Sequence, residues 1–145
     1  MNEQNSNSYP VKPIVGVGTI VQKNGKILLV KRGVEPSLGL WAIPGGTLKL
    51  GETMRECAER ELLEETGIIA KAEDCVYVFD FVEHDARGKI KYHFVVIDFA
   101  AKYISGEPQG ADDALEARWF APEELTKLAV AKNTLAALRY IGFLT

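Results

Sequence analysis

The chain has 145 residues, of which 47% are hydrophobic and 26% charged, and its formal net charge is -3. This size and composition are typical of one soluble domain, and the negative charge argues against a nucleic acid polymer as partner, because such interfaces are strongly basic. Two cysteines are too few for a disulfide framework, and no apolar run approaches the length of a membrane span, so we expect a cytoplasmic protein without a membrane partner.

The N-terminal part begins with a polar segment, residues 1–12, which we expect to be a flexible tail ahead of a single domain at 13–145. Two β-rich runs follow, PIVGVGTIVQ and KILLVKR, and Asn24-Gly25 between them is typical of a tight hairpin. A loop rich in Gly and Pro comes next and contains a short extended piece around Trp41. The chain therefore opens with antiparallel strand pairing.

The first helix is predicted over residues 53–66. Thr53 and Glu56 have the spacing of a capping box, in which each residue satisfies a backbone N–H of the other. Gly67 follows the helix and can adopt the left-handed conformation that ends it. This segment also holds most of the acidic residues in this part of the chain.

The C-terminal half is predicted to contain two strands, CVYVFDFVEH and KIKYHFVVIDFAAKYI, joined by a turn at DARG. The polar loop GEPQGADDALE leads to a short strand, ARWFA, and then to two helices, PEELTKLAV and NTLAALRYIGF. Strands outnumber helices and several are joined by hairpins. The sequence thus indicates an α+β domain with helices packed on a mixed sheet.

Three carboxylates crowd one face of the first helix. Glu61, Glu64 and Glu65 are three and four residues apart, so they are neighbours and repel one another. One interpretation is an ordinary solvated face. The other is a site for Mg²⁺ or Mn²⁺, which prefer oxygen ligands and would relieve the repulsion.

The spacing around these acids distinguishes the two interpretations. The segment has a fixed residue type at each of seven positions of a known sequence signature. If each position matches by chance roughly once in fifteen, the chance of matching all seven is on the order of one in 10⁸. The segment resembles the Nudix hydrolase signature at every defined position: Gly46, Glu52, Arg60, Glu61, Glu64, Glu65 and Gly67. This resemblance implies the Nudix fold, a mixed sheet sandwiched between α-helices. It also implies that the signature forms a loop, a helix and a second loop.

The resemblance also implies a reaction: metal-dependent hydrolysis of a nucleoside diphosphate linked to another moiety. The segments KRGVEPSLGLWAIPGG and GADDALEARWFAPEEL are most similar to compact ADP-ribose pyrophosphatases. ADP-ribose or a related nucleotide sugar is therefore the expected substrate. Two alternatives stay open: a MutT-like pyrophosphatase of normal or oxidised nucleoside triphosphates, and a nucleotide-binding module without activity. A homodimer is expected because dimers are frequent in the family.

Residue roles follow from the same resemblance. Arg60 is expected to orient the glutamates through ion pairs. Glu61 is a metal ligand or the base that activates water. The residues expected to hold the metal are the Gly45 carbonyl, Glu61, Glu64 and Glu65. The residues expected to contact substrate are Arg32, Trp41 and Gly46.

Outside the signature the assignments are less specific. A further acid is expected from the loop before the last strand, where Asp112, Asp113 and Glu116 are candidates and solvated loop acids are the alternative. Within the signature, Glu52 could help to orient the glutamates as Arg60 does, or serve as an additional ligand through water. Arg32 could equally be a surface arginine, and a tryptophan before Pro-Gly-Gly is more often a packing residue.

Overall fold

The computed structural model describes residues 7–145. From residue 13 onwards the chain forms seven strands, two α-helices and one 3₁₀ helix. The strands are β1 (Ile14–Lys23), β2 (Lys26–Arg32), β3 (Trp41–Ala42), β4 (Gly45–Thr47), β5 (Ile69–His84), β6 (Ile90–Ser105) and β7 (Ala114–Phe120). The helices are α1 (Met54–Thr66), the 3₁₀ helix (Pro122–Lys127) and α2 (Lys132–Tyr140).

The predicted strands and helices are present with four main differences in extent or type, and the short strand β4 was not predicted. α2 ends at Tyr140, three residues before the predicted end. β5 begins at Ile69, directly after α1, because it continues along β6 to the end of that strand. β7 begins at Ala114, three residues before the predicted start, because it pairs with β2 as far as Arg32. The segment PEELTKLAV forms only the 3₁₀ helix Pro122–Lys127 in place of a full α-helix.

The sheet divides along its length, and this division creates the space for a site. β1 pairs with β6 in parallel from Ile14 to Val21, and β5 pairs antiparallel with β6, while the short β4 pairs with β1. β1 pairs with β2 only at the hairpin end, at Gln22 and Lys23. β2 instead continues with β3 and β7. The predicted mixed sheet is therefore confirmed, and it is split into two parts.

Each α-helix packs against one part of the core. In α1, Cys57 and Ala58 are fully buried in one cluster with Val17 and Phe99. α2 contributes Leu138 to a separate cluster that includes residues of β1, β2, β3 and β7. Helices thus lie on both sides of the sheet, which confirms the predicted sandwich.

The predicted ends of α1 are confirmed in atomic detail. The Glu56 backbone N–H donates to Thr53 Oγ1 at 3.1 Å, and the Thr53 N–H donates to Glu56 Oε1 at 3.1 Å. Gly67 has φ = 74° and its N–H donates to the Leu63 carbonyl. A residue with a side chain rarely adopts this conformation, so glycine is well suited to end the helix here.

The N-terminal segment is described only in part. Residues 1–6 of the predicted tail lie outside the described residues. Beyond them, the Tyr9 N–H donates to the Lys91 carbonyl at 2.7 Å, and its hydroxyl donates to Asp85 Oδ2 at 2.9 Å. Between residues 7 and 145, no helix combines the length and apolar character that crossing a membrane would require.

Candidate active site

A cavity of about 200 Å³ opens where the two parts of the sheet diverge. Its walls come from β1, the glycine strand β4, the α1 carboxylates, the loop after β2, strands β5 and β6, the end of β3, the start of α2 and the loop before β7. Alternate residues of β6 point into it, because side chains of a strand face opposite sides in turn. Phe94 and Val96 line the cavity, whereas Ile97 and Phe99 pack towards α1.

Arg60 forms an ion-pair network beside this cavity. Its Nε and Nη2 donate to the two oxygens of Glu52 at 2.6 and 3.0 Å. Its Nη1 donates to Glu61 Oε1 at 2.8 Å and to Glu64 Oε2 at 3.2 Å. The guanidinium holds the pKa of Glu52 at about 2, well below its usual value, since it favours the ionised carboxylate.

Glu61 and Glu65 form the acidic wall of the cavity. Each residue is only 5% exposed, and both line the cavity. The Gly45 N–H donates to Glu65 Oε1 at 2.9 Å. A Cβ on Gly46 would collide with the Glu61 carboxylate. The two glycines of β4 therefore allow the carboxylates to approach the strand closely.

The pKa of Glu65 is raised to about 8, mainly because the carboxyl is buried. The neighbouring negative charge of Glu61 raises it further, while the Gly45 N–H and the positive charge of Arg32 act in the opposite direction. Burial and a like charge both favour the neutral acid. A cation bound between the two carboxylates would remove this cost.

Arg32 and Asp113 line the same cavity as Glu65, and the charges of both affect its pKa. The Arg32 Nε donates to the Pro36 carbonyl at 2.7 Å. Burial lowers the pKa of Arg32, and the charges of Glu65 and Asp113 oppose that shift. Burial and the neighbouring Asp112 raise the pKa of Asp113, and Arg32 opposes this shift. Arg32 is thus placed to meet an anionic group in the cavity.

Several predicted site residues lie elsewhere. Trp41 does not line the cavity; it is 7% exposed and packs edge-to-face on Phe120 in the core. We therefore do not retain it as a substrate contact. Its apolar neighbours explain this position, since burying a large aromatic ring against them is favourable. The alternative prediction, that Trp41 is a packing residue, agrees with this position in the core.

The other displaced candidates are acids. The Glu64 side chain is 41% exposed in its ion pair with Arg60, and it lies outside the cavity wall. Asp112 has φ = 54° at the turn before β7, and Glu116 pairs with Arg118 at 2.6 Å, so neither of them lines the cavity. Of the three loop acids, the structure brings only Asp113 to the site. Glu52 likewise serves the Arg60 network.

The carboxylate oxygens of the cavity wall are the type of ligand that a hard divalent cation binds. Glu61 and Glu65 supply adjacent buried carboxylates, and oxygen ligands are those that Mg²⁺ and Mn²⁺ prefer. Across residues 7–145, however, no three His, Cys, Asp or Glu side chains are already arranged around a common metal position. The predicted metal site needs three glutamates, and one of them, Glu64, accepts a hydrogen bond from Arg60 outside the cavity wall. Of these three glutamates, Glu61 and Glu65 are therefore the two that line the cavity.

Sequence reasoning did not assign some cavity residues. Phe79, Phe81 and Phe94 all line the cavity, and none of them was among the predicted site residues. Asp98 was not considered, although it is 3% exposed in the middle of β6 and also lines the cavity. A charged residue within the apolar run HFVVIDFAA was the signal that could have identified it.

Comparisons with known proteins agree with this geometry. A family model described as NUDIX domain matches residues 12–139. The ADP-ribose pyrophosphatase of Methanocaldococcus jannaschii is 42% identical over 117 residues, which cover 81% of this chain and 67% of that protein. The MutT NUDIX hydrolase structure from Burkholderia pseudomallei has a TM-score of 0.78 and 31% identity, and the match covers 90% of this chain and 98% of the other.

A bifunctional NMN adenylyltransferase/ADP ribose pyrophosphatase from Francisella tularensis, solved with AMP and a Mn ion, has a TM-score of 0.68 and 30% identity. That match covers 90% of this chain and 41% of the other. These findings confirm the predicted fold and the predicted class of enzyme. The signature helix, the split mixed sheet and the family match together show that the chain belongs to the Nudix hydrolases.

Proposed function

We propose that the protein hydrolyses the diphosphate bridge of ADP-ribose, or of a related nucleotide sugar, to AMP and a sugar phosphate. The observation that carries this proposal is the charge of the cavity wall. Among the described lining residues, Arg32 is the one arginine or lysine. The acidic residues of the wall are Glu35, Glu61, Glu65, Asp98 and Asp113. A diphosphate can enter such a cavity only together with cations.

Divalent metal is thus part of the proposal, with Mg²⁺ as the expected ion and Mn²⁺ as the alternative. Glu61 and Glu65 would hold it, joined by Glu64 and by the Gly45 carbonyl. When bound, the metal supplies charge neutralisation on the phosphates and acidifies water. Glu61 and Glu65 also provide the acceptors that a nucleophilic water needs near the diphosphate.

The protein groups position the substrate. Arg32 lines the cavity together with Glu65 and, in the proposed complex, contacts a phosphate oxygen. Asp113 stands beside it and is the proposed additional acid. Arg60 acts on the glutamates and not on the substrate, since it donates to Glu61 and Glu64 from outside the cavity wall. The choice of ADP-ribose is supported by the relatives that carry that activity in their names.

A direct assay compares ADP-ribose with normal and oxidised nucleoside triphosphates in the presence of Mg²⁺. We expect AMP and ribose 5-phosphate, with kcat/KM at least about tenfold above any triphosphate, which is about 1.4 kcal/mol in transition-state binding. Pyrophosphate release from an oxidised triphosphate that is faster than AMP release from ADP-ribose would establish the MutT-like alternative instead. Triphosphates are included because the chain is also similar to a MutT NUDIX hydrolase from Burkholderia pseudomallei.

Two glutamate variants test the site itself. Glu65→Gln should lower kcat by at least about 10²-fold, because it removes charge where metal and phosphate meet. Glu64→Gln should have an effect of about the same size, because in the proposed complex Glu64 turns from Arg60 to the metal. Glu123→Gln is the matched control, since Glu123 is exposed on the 3₁₀ helix and outside the cavity wall. Wild-type turnover in both site variants would contradict the assignment. No turnover of any diphosphate by the wild type would support the non-catalytic alternative.

Metal linkage gives an independent measurement. Millimolar Mg²⁺ or Mn²⁺ should raise the melting temperature by mass action, and Glu65→Gln should weaken this response. An identical response in the variant would place the metal elsewhere. A cytoplasmic location and a homodimer are part of the same proposal and remain predictions, to be examined by fractionation and by light scattering.

A further inference from the structure

Asp98 interrupts an apolar surface. On β6 the residues that face the cavity alternate with those that face α1, and Phe94 and Val96 precede Asp98 on the cavity side. The neighbouring strand β5 adds Phe79 and Phe81 to the same wall. The strand pattern thus favours an apolar residue at position 98, and the carboxyl there needs an explanation other than folding.

The carboxyl of Asp98 has no partner among residues 7–145. No hydrogen bond or ion pair reaches it from that part of the chain, although the residue is only 3% exposed. Every described side-chain N or O atom that is fully buried has a hydrogen-bond partner. Its oxygens therefore open onto the cavity, and burial alone raises its pKa to about 7. The Asp98 carboxyl is thus largely withdrawn from solvent, and its oxygens can still accept a hydrogen bond from a donor that enters the cavity.

The adjacent strand leaves room for this carboxyl. Gly18 is paired with Asp98 across β1 and β6, and a Cβ on Gly18 would collide with Asp98 Oδ1. Gly18 is also paired with Gly45 on β4. The three residues thus form one row across three strands, and adjacent strands are about 4.8 Å apart. The Cα atoms of Asp98 and Gly45 are thus roughly 10 Å apart, and the Asp98 carboxyl lies over Gly18, on the side of β6 that faces β4.

The wall around Asp98 restricts what can bind there. A carboxylate repels phosphate, so the group that meets it is uncharged and donates hydrogen bonds. The nearby surface is aromatic and aliphatic, which suits a flat heterocycle better than a sugar. We propose that Asp98 is a specificity-determining residue of the cavity: it accepts a hydrogen bond from the amino group of an adenine base. The inference rests on the proposed function, because it takes this end of the cavity as the nucleoside end.

The test measures binding and needs no turnover. The probes are AMP and purine riboside 5′-monophosphate, which differ only in the 6-amino group, titrated calorimetrically in the presence of Mg²⁺. The wild type should bind AMP at least about tenfold more tightly, as expected of a site built to bond an amino group. Asp98→Leu should reduce this ratio to about one, and Asp98→Ala should do the same if the leucine variant folds poorly.

Asp98→Asn is the matched variant, since its amide has the same shape and its carbonyl still accepts from an amino group. It should retain the preference for AMP. A merely structural role predicts a different pattern: both probes would change equally in Asp98→Leu. Three outcomes would overturn the inference: an equal change for both probes in Asp98→Leu, an equal affinity of the wild type for the two probes, and no AMP binding at millimolar concentration.

The same titration separates the base from the ribose. If 2′-deoxy-AMP or 3′-deoxy-AMP loses the affinity that Asp98→Leu also loses, then Asp98 meets a ribose hydroxyl, and the assignment to adenine is wrong. Failure of the proposed function is a separate observation, because it would appear as no hydrolysis of ADP-ribose by the wild type. AMP discrimination by Asp98 without such hydrolysis would preserve the inference and remove only the proposed reaction.

Discussion

Replacing Arg60 with alanine should destabilise the fold by about 3 kcal/mol. The guanidinium donates to Glu52 at 2.6 and 3.0 Å, to Glu61 at 2.8 Å and to Glu64 at 3.2 Å. Its Nη2 also donates to the Thr47 carbonyl at 3.3 Å. Removing it leaves without their cation two carboxylates, Glu52 and Glu61, whose side chains are only 13% and 6% exposed in the intact protein.

The magnitude follows from this partial burial. Breaking a buried ion pair by removing one partner costs roughly 3–5 kcal/mol, and the lower end applies because the Arg60 side chain is 22% exposed. For a chain of this size we expect a fall in melting temperature of about 6–12 °C. Arg55→Ala is the matched control on the same helix. Arg55 is exposed and its Nε donates to the Glu73 carbonyl, so its loss should cost less than about 1 kcal/mol.

The pH dependence makes the prediction specific. Arg60 lowers the folded-state pKa of Glu52 from 4.5 to about 2. A lowered pKa means that this stabilisation is fully present above about pH 4.5 and is lost as the pH falls towards 2. The cost of Arg60→Ala, measured by urea unfolding, should therefore shrink from pH 7 to pH 3. An unchanged cost over that range, or a cost no larger than that of Arg55→Ala, would refute this account of the network.

Two further substitutions examine the cavity. Gly46→Ala should destabilise the fold by about 1–3 kcal/mol and lower kcat, because its Cβ collides with the Glu61 carboxylate. Gly16→Ala is the stability control in urea unfolding, since its nearest neighbour would be at an ordinary 3.6 Å, and equal costs would contradict the close-approach argument. Asp113→Asn should lower kcat at least about tenfold without raising KM, whereas Asp112→Asn should turn over normally; the reverse pattern would reassign the acid.

Local features were predicted well because each depends on a few adjacent residues. The capping box of Thr53 and Glu56, the helix end at Gly67 and the hairpin at Asn24-Gly25 follow from backbone preferences at those positions. The signature likewise identified the helix and its glutamates. The signature is a reliable predictor because it depends only on the spacing of residues along one helix, and this spacing can be read from the sequence.

The rest depended on contacts between distant strands. Whether Asp112 or Asp113 faces the site depends on how the start of β7 is held against β2, where the Gly33 N–H donates to the Asp113 carbonyl. Trp41 entered the core because β3 pairs with β2 beneath α2. Asp98 lies beside Gly18 because β1 and β6 pair in parallel in this register. Hydrophobic pattern fixes a strand's buried face but not its partner, so these placements required the structure.

The structure explains why so many acids share one helix. Arg60 lies outside the cavity wall and donates to Glu52, Glu61 and Glu64, so each of these carboxylates has a cationic partner, although one guanidinium offsets only one of their three negative charges. Glu65 has no ion pair in the described structure; it has a backbone N–H and the more distant charge of Arg32, and its pKa rises to about 8. The repulsion is therefore concentrated where the helix meets the cavity. Under the proposed function this uneven pairing favours a bound cation, because a helix that paired all its acids would gain stability and have less need of a metal.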